Sequence, residues 1–293
     1  MSGFDNGGAA PPPPPPPSAG GGGAIPQRGL GDILTTAFEL YRANAAKLIT
    51  IVAIVVVPLT FLIALFTSIL SNNVEKVASS VTVDPNTGQI SVSGGTTLGT
   101  SFANSILLLL LTYLLSYVIQ YLLTGALTRG AAGSLLGRPV DVKASYSYAF
   151  SRLVPLIGLA ILVGLVVAGG LILLIIPGII FAVFLSMAVP AFIVERLGVT
   201  ASMSRSWNLV KGAWWHTLGV IVVAGIIAGI VTSILRAIGG DTFIGTWIMS
   251  AIGQIITAPF VALVGVVLYV DLRSRHEGLT ADQLGAQLDS AQA

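Results

Sequence analysis

Five long apolar stretches separated by short polar segments dominate the pattern of this sequence. The longest runs from Leu153 to Val194, 42 residues without a single Asp, Glu, Lys, Arg or His. As one helix rising 1.5 Å per residue it would be about 63 Å long, roughly twice the hydrocarbon thickness of a bilayer. Pro177 and Gly178 interrupt the run, so the pattern predicts two membrane crossings that fold back on each other at a turn.

The five stretches together predict six membrane-spanning helices and therefore an all-α membrane protein. The predicted spans cover residues 49–70, 105–127, 153–174, 177–194, 217–235 and 243–270. Pro58, Pro190 and Pro259 lie inside predicted spans and are expected to kink them.

Composition agrees with the membrane class. Hydrophobic residues make up 54% of the 293 residues, charged residues make up 9%, and the mean hydropathy is +0.91. A soluble chain with so few charges could not cover its surface with polar groups. The net charge of +2 gives no argument for nucleic-acid binding, and the absence of cysteine excludes disulfides and thiolate metal sites.

The chain divides into three regions. Residues 1–27 contain seven consecutive prolines and four consecutive glycines, which predict a disordered cytoplasmic tail. The alternative for this tail is a proline-rich ligand for a protein partner. Residues 28–279 form the six-span membrane domain, with an external loop at 71–103, and residues 280–293 form a cytoplasmic carboxyl-terminal tail.

The distribution of basic residues predicts the orientation. With the amino terminus inside, 12 of the 14 Lys and Arg residues lie on the cytoplasmic side, and only Lys76 and Arg236 lie outside. An even number of spans returns the carboxyl terminus to the cytoplasm. In the external loop, the alternating segments 81–83 and 90–92 flank turn residues and predict a small hairpin.

Short amphipathic segments precede spans one, three and five. Residues 37–42 align with residues 206–211 and, more loosely, with 147–152. Apolar side chains at helical spacing in 30–42 and in 199–215 predict interfacial helices. The sequence therefore predicts three repeats, each an interfacial helix followed by two spans.

The segment before span five carries the candidate contact residues. Trp207, Trp214 and Trp215 suit the bilayer interface, because each ring is apolar and its N–H remains hydrated. Arg205 and Lys211 can meet anionic headgroups, each worth about 1 kcal/mol near the surface. We interpret these five residues as a contact for membrane lipids or a protein partner; the alternative is that the helices only cap the bundle.

No catalytic, cofactor or metal site is predicted. His216 and His276 are the only histidines, and neither has a second ligand at zinc spacing. Glu195, Asp271 and Arg273 lie at the inner ends of spans four and six. We interpret them as salt bridges that mark the interface, with a catalytic carboxylate pair as the less favoured alternative.

Span two carries a polar face. Thr112, Ser116 and Gln120 recur at a spacing of four, and Tyr113, Tyr117 and Tyr121 recur beside them. This face either joins helices by hydrogen bonds or lines a cavity. No ionisable residue lies inside a predicted span, which disfavours proton-coupled transport.

Several motifs together resemble a known family. They lie at residues 176–181, 186–190, 194–196, 204–212 and 269–279. Over roughly residues 28–279 the chain resembles the poorly characterised bacterial six-helix family related to the membrane region of glycerophosphoryl diester phosphodiesterase. In enzymes of that name the chemistry belongs to a separate soluble domain, which this chain is too short and too apolar to contain.

The resemblance thus implies an integral protein of the bacterial plasma (inner) membrane without phosphodiesterase activity, and it carries over no catalytic residues. The leading hypothesis is a scaffold or accessory protein that engages lipids or a protein partner. The alternative is a transporter or permease-like protein for a hydrophobic or amphipathic solute.

Overall fold

The computed structural model describes residues 25–79, 81–83, 90–92, 98–239 and 242–289. In chain order the elements are α1 (Leu30–Ser79), β1 (Val81–Val83), β2 (Ile90–Val92), α2 (Leu98–Leu135), α3 (Val142–Ser151), α4 (Leu153–Leu173), α5 (Ile175–Leu185), α6 (Ala188–Val194), α7 (Val199–Val210), α8 (Trp214–Gly239), α9 (Phe243–Glu277) and α10 (Ala281–Asp289). The two strands pair antiparallel, with Val81 opposite Val92. Residues 1–24 of the predicted disordered tail and the predicted hairpin turn lie outside the described residues.

Six stretches are long and apolar enough to cross a membrane, which confirms the multi-pass helical class. They are Leu30–Ile63, Ile106–Leu135, Leu153–Leu173, Ile175–Val194, Trp214–Gly239 and Trp247–Glu277. The first differs from its prediction, because the amphipathic segment at 30–42 continues into the apolar segment as one helix. Only Ala, Asn and Lys lie between Arg42 and Leu48, and Ala and Lys favour helix.

The turn between the third and fourth spans lies three residues earlier than Pro177. Leu174 is extended (φ −163°, ψ 148°), and α5 begins at the next residue. Pro177 then falls in the first turn of α5, where the amide hydrogens have no partner within the helix. A Cβ on Gly178 would lie 2.8 Å from the backbone nitrogen of Leu171, and a Cβ on Gly170 would lie 2.9 Å from the Cα of Gly178. Glycine at both positions therefore permits the close approach of α4 and α5.

The fourth span is interrupted between α5 and α6, although the sequence predicts a single span kinked at Pro190. The buried Ser206 of α7 accepts a hydrogen bond from Met187 N–H at 3.0 Å and donates one to Phe184 O at 2.6 Å. A side chain from another helix thus satisfies backbone groups at the break. Pro190 lies in the first turn of α6, where its missing amide hydrogen removes no helical bond.

The helices enclose two buried clusters. The larger contains side chains from every helix except α4. In it α1 packs along α9 and α2, and α8 packs along α9. The smaller joins α4, α5 and α6 around Leu156 and Phe192. Residues predicted as part of a carboxyl-terminal tail form α10, which buries Leu284 and Leu288 against the larger cluster.

The start of the described chain is bonded to the end of α9. Ile25 N–H donates to Leu279 O at 3.0 Å, and Ser274 Oγ donates to Ile25 O. Gly278 ends α9 in the left-handed conformation (φ 63°), which glycine adopts without strain. We call this set of bonds the terminal clasp.

Candidate functional site

A partly buried ion-pair network, the Glu195 network, lies where α6 ends. The Glu195 carboxylate accepts hydrogen bonds from Arg205 Nε at 2.9 Å and from the Tyr269 hydroxyl, and it lies 3.5 Å from Arg273 Nε. Arg205 and Arg273 share a second carboxylate, that of Glu277, which lies 3.3 Å from Arg273 Nε. Three helices, α6, α7 and α9, are therefore joined through paired charges.

Burial and pairing act in opposite directions on Arg205. Burial lowers the pKa of Arg205, while its hydrogen bonds to Glu195 and Glu277 and their charges raise that pKa more, so the net direction is upward. The guanidinium thus stays positively charged beside its two carboxylates. Removing one partner of a buried ion pair is typically costly, since the remaining charge is left without compensation.

A second network surrounds Asp271, whose side chain is fully buried. Its Oδ1 accepts a hydrogen bond from Arg28 N–H at 2.6 Å, and its Oδ2 accepts one from Arg275 Nε at 2.7 Å. His216 Nε2 lies 3.4 Å from Oδ2 without the alignment of a hydrogen bond. Asp271 therefore anchors the start of the chain to α9.

The structure places the three predicted span-end residues in these two networks. Asp271 pairs with Arg275, four residues later on the same helix face. Arg273 lies two residues from Asp271, on another face, and meets Glu195 instead. Tyr269 and Glu277, which sequence analysis missed, lie four residues on either side of Arg273, so helical spacing was the signal that could have found them.

The five candidate contact residues differ in how much surface they present. Trp215 is 78% exposed and meets Trp214 edge-on at 4.6 Å, and Lys211 is exposed. Trp207 is 37% exposed and stacks on Phe184 with ring centroids 4.0 Å apart. Arg205 is occupied by the Glu195 network, which leaves it less available to a headgroup than an unpaired cation.

In the part of the chain that the structure describes, three apolar grooves between the spans have no charged residue in their lining. The first, of about 330 Å³, is lined by α1, α2 and α3. The second, of about 260 Å³, is lined by α4, α5 and α7. The third, of about 400 Å³, is lined by α8, α9 and the beginning of α1. Each groove thus combines two consecutive spans with one amphipathic segment.

The three amphipathic segments present equivalent positions to the grooves. Each has a buried pair at a spacing of four, and the residues that follow each member line the groove. The buried pairs are Ile33 and Ala37, Ser145 and Ala149, and Ser202 and Ser206; the groove-lining pairs are Leu34 and Phe38, Tyr146 and Phe150, and Met203 and Trp207. By this pattern Ala149 is equivalent to Ala37, whereas sequence alignment placed Ser147 there.

The polar face of span two lines none of these three grooves. Thr112 Oγ1 donates to Leu108 O at 2.8 Å, and Ser116 Oγ donates to Thr112 O at 2.7 Å. Tyr113 is 75% exposed. The hydroxyl groups of Thr112 and Ser116 are therefore satisfied within their own helix.

Comparisons with known proteins add no assignment. The chain matches no protein-family model, no curated protein and no solved structure. Within the described part of the chain, no group of three or more His, Cys, Asp or Glu residues is placed to hold a metal ion.

Proposed function

We propose that this protein is a non-catalytic, multi-pass protein of the bacterial plasma membrane that acts as a scaffold or accessory protein by engaging lipids. The observation that carries the proposal is the set of three uncharged grooves between spans. Acyl chains are the ligands that such grooves fit, because burying apolar surface there requires no polar partner. The grooves also support an arrangement of three repeats, since each has the same composition of two spans and one amphipathic segment.

The third groove offers the sharpest test, since it is the largest. Val231 of α8 lines this groove, whereas the neighbouring Ile230 is 55% exposed and lines none of the three. Val231→Trp should fill the groove and lower the number of phospholipids that stay bound through purification, counted by native mass spectrometry.

Ile230→Trp is the matched control, because it adds the same ring on the same helix outside the groove. It should retain the phospholipid count of the parent. Equal counts in the parent and in both variants would contradict the proposed lipid site.

The proposed orientation has both termini in the cytoplasm. The support is the division of basic residues, 12 inside and two outside. Because the chain has no cysteine, single substitutions S18C, N86C and S290C can be labelled without background. Only the position at residue 86 should react with an impermeant reagent from outside intact cells; external labelling at either of the other two would refute the orientation.

The proposal assigns no phosphodiesterase activity to this chain, in keeping with the resemblance to the membrane region of glycerophosphoryl diester phosphodiesterase. The carboxylates of Glu195 and Asp271 are held by arginines. Transport of an amphipathic solute is the alternative proposal. It has less support, because the hydroxyls of Thr112 and Ser116 bond within their own helix rather than line a groove.

A further inference from the structure

A cluster of arginines lies apart from the grooves and from the Glu195 and Asp271 networks. Arg129 comes from the last part of α2, Arg152 lies between α3 and α4, and Arg196 follows α6. Tyr148 of α3 lies among them and donates its hydroxyl to Ile193 O at 3.0 Å. Residues distant in the sequence thus bring three guanidinium groups to one place.

The aromatic ring of Tyr148 holds two of these cations. The guanidinium carbon of Arg129 lies 4.9 Å from the ring centroid, and that of Arg196 lies 6.0 Å from it. Arg152 Nη1 donates to the backbone oxygen of Arg196 at 3.4 Å. Arg129 Nη2 donates to Leu288 O at 3.1 Å, so cation–π contacts and backbone bonds hold the side chains while some of their N–H groups remain available for an anion.

The cluster differs from the Glu195 and Asp271 networks, because it contains no carboxylate among the described residues. Among the described residues, Arg129, Arg152 and Arg196 have no carboxylate within ion-pair distance, whereas Arg205 and Arg273 each have two and Arg275 has one. The negative charge of Asp289 affects Arg129 only from beyond ion-pair distance, and Asp289 is already hydrogen-bonded to Arg138.

Two donors in the cluster are buried without a hydrogen-bond partner. They are Arg129 Nη1 and Arg196 Nε. Arg129 also lines a cavity of about 80 Å³ together with Arg138 and Asp141, a cavity that Arg152 and Arg196 do not line. Buried charged donors are ordinarily hydrogen-bonded, so these two point to an acceptor with a negative charge.

Arg196 has a further unusual property, a positive φ of 56°, the only one among non-glycine residues of the described chain. Arginine is not a residue that favours this left-handed conformation. Strained backbone positions often coincide with binding sites, where the surrounding structure maintains them. The conformation brings the guanidinium of Arg196 back over Tyr148.

We propose that Arg129, Arg152 and Arg196 form a binding site for a phosphate group. Guanidinium groups match phosphate geometry, because their N–H donors can bond two oxygens at once. A phosphate has enough oxygens to accept hydrogen bonds from both Arg129 Nη1 and Arg196 Nε, the two buried donors without a partner. The phosphate belongs either to a phospholipid headgroup or to a free phosphate ion. The site goes beyond the proposed function and uses no residue of the grooves.

The test measures thermal stability of the full chain in neutral detergent. One arm compares potassium phosphate with potassium chloride at equal ionic strength. The other adds dihexanoyl phosphatidylglycerol in phosphate-free buffer. A ligand at 100 times its dissociation constant should raise Tm by about 5 °C. A rise with both ligands identifies the phosphate group as sufficient, and a rise with the lipid alone identifies a headgroup site.

Arg196→Gln should lose at least half of this rise, while its Tm in chloride alone stays equal or increases because one unpaired cation is gone. Lys143→Gln is the control, since Lys143 is exposed on the same helix as Tyr148. Arg152→Gln provides a second variant should the first fail to fold. No rise in the parent with either ligand, or equal rises in both glutamine variants of the cluster and in the control, would overturn the site.

Discussion

Ser206 joins α7 to the break between α5 and α6, and Ser206→Ala tests how much that junction stabilises the fold. The substitution removes two hydrogen bonds, of 3.0 Å from Met187 N–H and 2.6 Å to Phe184 O. It leaves the buried Met187 amide without an acceptor, which typically costs about 1–3 kcal/mol. The carbonyl loses a donor at a smaller cost, since unpaired carbonyls are better tolerated. We expect the free energy of unfolding to fall by about 2–3 kcal/mol.

The assay is reversible unfolding in mixed micelles with increasing SDS, followed by helical circular dichroism. Ser204→Ala is the control on the same helix, because Ser204 is exposed. Exposed substitutions usually change stability by no more than about 0.5 kcal/mol. Should the two variants differ by less than about 0.5 kcal/mol, the bridging role assigned to Ser206 is wrong.

Three further predictions concern the turn, the aromatic stack and the chemistry. Gly178→Ala should destabilise the protein by about 3 kcal/mol, because the new methyl group meets the backbone of α4. Gly225→Ala has open space around it and should stabilise the protein by up to about 1 kcal/mol. Equal thermal shifts of the two variants would contradict this prediction. Trp207→Ala should lower the free energy of unfolding by about 2–3 kcal/mol, because the stack on Phe184 is lost. Asn208 is exposed, so Asn208→Ala should lower it by less than about 0.5 kcal/mol in the same assay. Purified protein in lipid nanodiscs should hydrolyse no glycerophosphodiester with Mg²⁺, Ca²⁺ or Mn²⁺, measured as glycerol phosphate release; turnover above the protein-free rate would refute the non-enzyme proposal.

The membrane spans could be predicted because their signal is local. A charge-free run of 42 residues must cross twice, and Pro177 with Gly178 marks the turn to within three residues. The continuity of α1 was also readable from the helix-favouring residues after Arg42. The predicted boundary between the amphipathic and apolar segments followed their polarity instead. Polarity determines where a helix lies relative to the membrane but not where the helix ends.

The break in the fourth span could not be predicted, because its cause is remote in sequence. Nothing in Ser186 and Met187 demands a break; the partner that satisfies the backbone there is Ser206, 19 residues from Met187. The arginine cluster was missed for the same reason, since Arg129 and Arg196 are brought together only by the packing of α2, α3 and α6. The ion pair between Asp271 and Arg275 within α9, by contrast, can be predicted from their spacing of four residues.

The terminal clasp imposes an order on biosynthesis. Ile25 and Ser274 are separated by 249 positions, so this hydrogen bond of the terminal clasp cannot form until nearly the whole chain has been made. At about 5–20 residues per second, that interval lasts roughly 10–50 s. During this interval α1 has not yet packed against α9, the last span of the chain, which lies along both α1 and α8 in the folded protein.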